Sequence, residues 1–257
     1  MEFIFLYIVF FCIGVSIGSF LNVLIDRIPR RESFIFSSSH CEFCQTKLKW
    51  IELIPIFSFL FLGAKCRTCH KNLSSRYILI EIFTGLQFFL TIYFRGDQSL
   101  IHILLILLIL SCFTALFFSD LKDGILLDEF SISLLIFSII FVLITMPALF
   151  WNHVFTSIIS FGLFFFLFII TKGRGMGFGD VKLAGVIGIL LGGVYTFMAI
   201  YIAFLTGAIV SIILVIIGRR KFHGGTIPFG PFMILGGEIC LFLGDVLLRY
   251  IRLIINI

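Results

Sequence analysis

One stretch decides most of what this chain can become: residues 183–218 run for 36 positions without a charged side chain. A helix crossing the hydrocarbon core of a bilayer needs about 20 largely apolar residues at 1.5 Å each. The run is too long for one crossing and suits two, with Gly192-Gly193 as the turn. Six further runs have crossing length: 3–25, 77–94 (interrupted only by Glu81), 100–119, 130–150, 154–171 and 232–248, the last containing Glu238 and Asp245. The expected fold is an all-α polytopic membrane protein of about eight transmembrane helices. Composition agrees, because 60% of the 257 residues are hydrophobic and 13% are charged. Soluble domains carry roughly 25% charged residues, so a disordered chain, a secreted disulfide scaffold and an ordinary soluble enzyme are excluded.

The net charge of +5 is read as topology, not as a nucleic-acid surface, because Lys and Arg concentrate in cytoplasmic loops. With the N-terminus outside, the inner loops are 26–76, 120–129, 172–182 and 219–231. They hold nine, one, three and three basic residues, 16 of the 19, and Arg95, Arg249 and Arg252 remain outside. This places both termini outside, with Arg219-Arg220-Lys221 as a topology anchor. Glu2, not a basic stretch, precedes the first span, which is therefore expected to be an uncleaved helix and not a signal peptide. Three parts follow: a first transmembrane helix (1–25), a cytoplasmic module (26–76) and a membrane domain (77–257). Internal repeats are not evident. Within the module, 50–62 is an apolar run too short to span; it reads equally as an interfacial piece or as the cover of a small core.

Seven cysteines are present. Cys41-Glu-Phe-Cys44 and Cys66-Arg-Thr-Cys69 are two CxxC pairs separated by 21 residues, close to zinc-ribbon spacing. Each pair can present two thiolates, and two pairs close a tetrahedral Zn2+ site with no open position, hence a structural metal. Thiols stay reduced in the cytoplasm; unmetallated redox pairs are the alternative. His40 and His70 flank the pairs, but four cysteines already complete a site. Cys12, Cys112 and Cys240 fall within spans and read as packing residues.

The acids are few and concentrated. The third span ends in Asp120-Leu-Lys-Asp123-Gly-Ile-Leu-Leu-Asp128-Glu129, and the fifth is followed by Gly173-Arg-Gly175-Met-Gly177-Phe-Gly179-Asp180-Val-Lys182. Both segments fall on the inner face. From Asp180 to Gly193 is only about 20 Å of helix, so Asp180 should be recessed below the surface. Acids at that depth are functional candidates. Two carboxylates sharing one site cannot both ionise comfortably, which yields a base for water and an acid for a carbonyl. Helix capping explains either acid equally well, Asp123 competes for the first role, and a proton-coupled transporter would use the same acids. Gly14-x-x-x-Gly18 suits close helix packing. Glu81, one turn into the second span, lines a groove or pairs with Arg76 or another cytoplasmic basic residue.

Taken together, these motifs resemble the bacterial prepilin peptidases (type IV leader peptidases). Gly18-Ser-Phe-Leu-Asn22-Val, then Arg27-Ile-Pro29-Arg30, matches the first family motif. The CxxC pairs bracket Ile54-Pro55-Ile-Phe-Ser58, and Ser75-Arg76-Tyr77 leads to Glu81. Asp120 with Asp128, the GxGD segment Gly177-Phe-Gly179-Asp180-Val-Lys182, and Ile227-Pro228-Phe-Gly230-Pro231 follow in order. Two positions depart from the pattern: Leu127 stands where the family has Pro, and Ala64 where it has Gly. The resemblance implies a membrane aspartic endopeptidase with Asp120 and Asp180 as catalytic pair and 77–257 as peptidase domain. It would cut a short basic leader, after a glycine, from prepilin or pseudopilin precursors at the inner face of the bacterial cytoplasmic membrane. It implies a second activity as well, N-methylation of the new N-terminal residue from S-adenosylmethionine. A peptidase lacking the methyltransferase, and an assembly factor that binds pilins without cutting them, are the alternatives. The expected partners are precursor proteins and the lipid bilayer, with no nucleic acid.

Overall fold

The computed structural model describes residues 2–33, 39–41, 43–218 and 228–255; Arg219-Arg220-Lys221 and Ile227 lie outside them. Nine α-helices and no strands occur among the described residues: α1 (Glu2–Arg27), α2 (Phe57–Phe61), α3 (Arg76–Arg95), α4 (Leu100–Asp123), α5 (Asp128–Thr145), α6 (Phe150–Thr171), α7 (Phe178–Leu191), α8 (Gly193–Ile216) and α9 (Gly230–Ile255). Seven are long and apolar enough to cross a membrane. The eighth expected crossing, α7, has 14 residues, about 21 Å. It is buried almost throughout and is packed by α5, α6, α8 and α9.

Local chemistry sets the boundaries. Pro147 stops α5 at Thr145, short of the expected end, because proline cannot continue the hydrogen-bond ladder. Gly192, at φ 68°, makes the break between α7 and α8 that the glycine pair implied. Helix α4 runs further than expected. It continues one turn past Ser119 to Asp123, where the Gly124 N–H donates to the Asp120 carbonyl at 2.9 Å, a left-handed glycine stop. Asp120 therefore sits inside the last turn of a helix and not in a loop.

The chain forms two compact units, Met1–Phe118 and Ser119–Ile257. In the first, α1 packs along α3. A Cβ on Gly14 would stand 2.7 Å from the Thr84 carbonyl oxygen, and one on Gly18 2.8 Å from the Glu81 Cα. The glycine pair thus allows the backbone approach read from its spacing. Phe88, Ile92, Ile103 and Leu107 form a core against Tyr7, Phe10 and Ile17, and Thr114 donates to Gln87 at 2.6 Å. Cys112 is buried, while Cys12 is exposed on α1, not buried as a packing residue would be.

In the second unit small residues again decide the packing. Ser157 and Ser160 on α6 donate to the carbonyls of Gly185 and Ala184 on α7, at 2.7 and 2.9 Å. A Cβ on Gly188 would stand 2.5 Å from the Ser160 Oγ. Cys240 is buried in α9. Asp245 lies in the second half of α9 and accepts from the Tyr195 hydroxyl at 2.6 Å.

Candidate active site and metal centre

The cysteine module is built from one turn used twice. In the first copy Cys41 N–H donates to Thr46, Gln45 N–H to Cys41, and Leu48 N–H to Ser39. In the second, Cys66 N–H donates to Lys71, His70 N–H to Cys66, and Leu73 N–H to Ala64. The offset is 25 residues at every position, bridges His40–Lys47 and Lys65–Asn72 repeat it, and Gln45 and His70 share a positive φ. This local repeat is invisible in residue identity, because only the cysteines and a leucine coincide; the hydrogen-bond frame is what recurs.

The frame aims all four sulfurs inward. Cys41 and Cys69 are 3.9 Å apart, as are Cys44 and Cys66, and all four sulfurs lie within 4.8 Å of one another. A tetrahedral Zn–S4 centre, with Zn–S near 2.3 Å, requires S···S of roughly 3.8 Å, so the donor set fits a metal ion. Hydrogen bonding with Thr46 holds the Cys44 thiol down to about 6, and the Cys69 and Thr68 amides lower that of Cys66. Cys69 is pushed the other way, to about 11: the Lys71 amide lowers it, but burial and the neighbouring thiols outweigh that. Neither His40 nor His70 joins the cluster.

Between the two turns, 50–62 is not the cover of a core. A short 3-10 turn (Trp50–Leu53) and α2 leave Trp50 and Phe61 74% and 85% exposed. Its loop serves a buried acid: the Ile56 N–H donates to Glu81 Oε2 at 2.6 Å. Arg76 instead pairs with Asp26 at 2.6 Å, and the Tyr77 hydroxyl donates to Asp26 at 3.0 Å. The expected alternative of a Glu81–Arg76 pair is therefore not the arrangement found.

The second unit brings Asp120 and Asp180 together. Both are 6% exposed, and Asp120 lies within electrostatic range of Asp180. Leu126 is the wedge that sets their approach. A Cβ on Gly179 would meet its Cβ at 3.1 Å, and one on Gly230 would stand 3.2 Å from its Cδ2 and 2.5 Å from Asp120 Oδ2. Asp180 does cap a helix, since its Oδ2 accepts from the Gly177 N–H at 3.0 Å at the start of α7. That occupies one oxygen. Asp120 also faces a helix start, the Gly230 amide at the head of α9, but its buried Oδ2 makes no hydrogen bond of ordinary geometry among the described residues.

The competitor Asp123 and the structural acid Asp128 lie elsewhere. Asp123 is exposed, with Lys122 at 3.5 Å. Asp128 pairs with Lys182 at 2.7 Å, tying the start of α5 to α7 two residues past Asp180. Spacing alone showed neither this latch nor the contact of Gly230 with Asp120. Motif membership of Lys182 and Gly230 was the only available signal.

These features define a class, a multi-pass helical membrane protein with a four-thiol centre and a buried aspartate pair among the described residues. Residues 12–95 match the bacterial peptidase A24 N-terminal domain and residues 105–212 match the type IV leader peptidase family. The chain belongs to the type IV leader peptidase family. It is 28% identical to a prepilin leader peptidase/N-methyltransferase of Aeromonas salmonicida, over 93% of this chain and 91% of the relative. A protein of the same name from Legionella pneumophila is 29% identical over 96% and 94% of the two chains. One from Myxococcus xanthus reaches 47% identity over 31% and 24%. No solved structure matches.

Proposed function

We propose that this chain is a membrane aspartic endopeptidase that removes the leader of type IV prepilin-like or pseudopilin precursors. Cleavage takes place at the cytoplasmic face of the bacterial inner membrane, with both termini of the enzyme outside. The observation that carries the reading is the pair Asp120 and Asp180, buried together in one unit with Asp120 Oδ2 left unpartnered. A buried acceptor without a partner is costly, and a substrate or a water molecule satisfies it. The pair holds one proton between its two members. The ionised member takes a proton from water as the oxygen attacks the scissile carbonyl, and the protonated member donates to that carbonyl. Collapse breaks the C–N bond, and the leaving amine carries the proton away. The exposed glycine-rich segment before Gly177 lets a peptide backbone lie close to Asp180.

The second activity is N-methylation of the new N-terminal residue, supported by the names of the full-length relatives. S-adenosylmethionine supplies the methyl group. Zinc held by Cys41, Cys44, Cys66 and Cys69 is structural, because four thiolates leave no open coordination position. The test is the mass of a pseudopilin co-expressed with this chain in cells lacking any other such enzyme. Loss of the leader plus the mass of one CH2 group is expected. An intact precursor contradicts the peptidase, and leader loss without the added mass removes the methyltransferase.

A further inference from the structure

Between the two CxxC turns, Trp50, Ile51, Ile54, Phe57, Leu60 and Phe61 are all exposed. Single apolar side chains on a surface need no explanation, but a contiguous group does. Ile51, Ile54, Phe57 and Phe61 line one open groove. The Phe57 and Phe61 rings stack at 6.5 Å, one helical turn apart.

The height of this face along α3 says what covers it. Helix α3 has 20 residues, about 30 Å, the thickness of a hydrocarbon core. It has no length to spare, so Arg76 stands at one boundary and Glu81, five residues on, about 7.5 Å inside it. The Ile56 N–H donates to Glu81 Oε2 at 2.6 Å, which pins the middle of the apolar run to that level. The pin is made under strain. Ile56 has φ 61° and ψ −53°, and the Phe57 N–H donates back to the Pro55 carbonyl at 2.6 Å, a rare γ-turn that a β-branched residue adopts only under constraint. Backbone at such depth has to satisfy its own polar groups. The run does so with short turns, in which the N–H groups of Ser58, Leu60 and Leu62 donate to the carbonyls of Ile54, Ile56 and Ser58 at 3.0, 3.1 and 3.0 Å.

Charge points the same way. Residues 26–76 hold nine Lys or Arg and four Asp or Glu, so this segment accounts for the whole net charge of +5. Zinc on four thiolates would return two negative charges and still leave it positive. Lys49, Lys65 and Arg67 are exposed beside the apolar run. Basic groups next to an apolar, aromatic patch suit the phosphate level of an anionic leaflet. We propose that the face bearing Trp50, Ile54, Phe57 and Phe61 is a membrane-interface anchor. It lies in the anionic headgroup and adjoining acyl region of the leaflet where α1 ends and α3 begins, and it holds the cysteine module against that surface. This rests on α1 and α3 crossing the bilayer and is independent of the peptidase reading.

The chain has two tryptophans, so Trp151→Phe leaves Trp50 as the only one. The full-length protein with this substitution is placed in nanodiscs of phosphatidylcholine and phosphatidylglycerol, with acyl chains brominated either near the headgroup or near the methyl end. Trp50 emission should fall about twofold or more with the shallow bromines and less with the deep ones. Acrylamide in the water should quench it roughly fivefold less than it quenches N-acetyltryptophanamide. A second probe, Phe61→Trp combined with Trp50→Phe and Trp151→Phe, should respond in the same way. Without phosphatidylglycerol, acrylamide should reach Trp50 about twofold more readily; no change would overturn the part assigned to charge. If brominated lipid quenches neither probe and acrylamide reaches both as freely as the small compound, the anchor is overturned. Shielding that arises only when a precursor protein is added would give the face to the substrate and overturn it equally.

Discussion

The thiol centre and the carboxylate pair are assembled in opposite ways. Each CxxC turn makes its own frame from ten consecutive residues, and two copies of that frame close on one point. The aspartates are 60 residues apart in sequence, and only helix packing, with Leu126 wedged against Gly179 and Gly230, brings them together. The thiols satisfy one another around a metal-sized point, whereas the aspartate pair keeps one buried oxygen unpartnered. A closed, saturated centre holds structure; an open, unsatisfied one is available for chemistry.

That contrast can be broken in several places. The largest effect is expected at Asp180→Asn, which should lower leader cleavage at least about 10⁴-fold while the protein remains in the membrane; gel separation of precursor from product reads this directly. Cys66→Ser comes next. Metal analysis of the purified variant should show zinc falling from about one per chain to a small fraction, because losing one thiolate opens a closed site. Four titratable thiols and no metal in the wild type would remove the structural role altogether. Gly230→Ala puts a Cβ 2.5 Å from Asp120 Oδ2, so kcat should fall about 10- to 100-fold with KM nearly unchanged. The smallest effect belongs to Lys182→Met. The pair with Asp128 is 38% and 63% exposed, and solvent screening limits its loss to under about 1 kcal/mol, visible as a small shift in thermal unfolding.

Legibility in the sequence followed the same divide. The four-thiol cluster could be read because a CxxC turn is a local object whose spacing carries its geometry. The spans and the Gly192 break could be read because bilayer thickness fixes a length. The fold of 50–62 could not: apolar periodicity does not say whether Trp50 and Phe61 face a core or stay exposed. The end of α4 was misplaced by one turn, since the left-handed stop at Gly124 outweighed the charges that suggested a boundary at Asp120. For the acids, the sequence put Asp120 first but left Asp123 as a competitor for the same role. Burial separates them, and burial is a property of the packing around Leu126 that no single segment contains. The exposed Lys182–Asp128 latch was equally hidden, because it joins two segments 54 positions apart.

The central claim is that the buried Asp120, and not the exposed Asp123 three residues on, works with Asp180. The direct test is leader cleavage by Asp120→Asn and Asp123→Asn, purified in parallel and assayed with one precursor under single-turnover conditions. The account predicts no detectable product from Asp120→Asn and a rate within about twofold of wild type from Asp123→Asn. Product from Asp120→Asn at the wild-type rate, or loss of cleavage in Asp123→Asn alone, would contradict it.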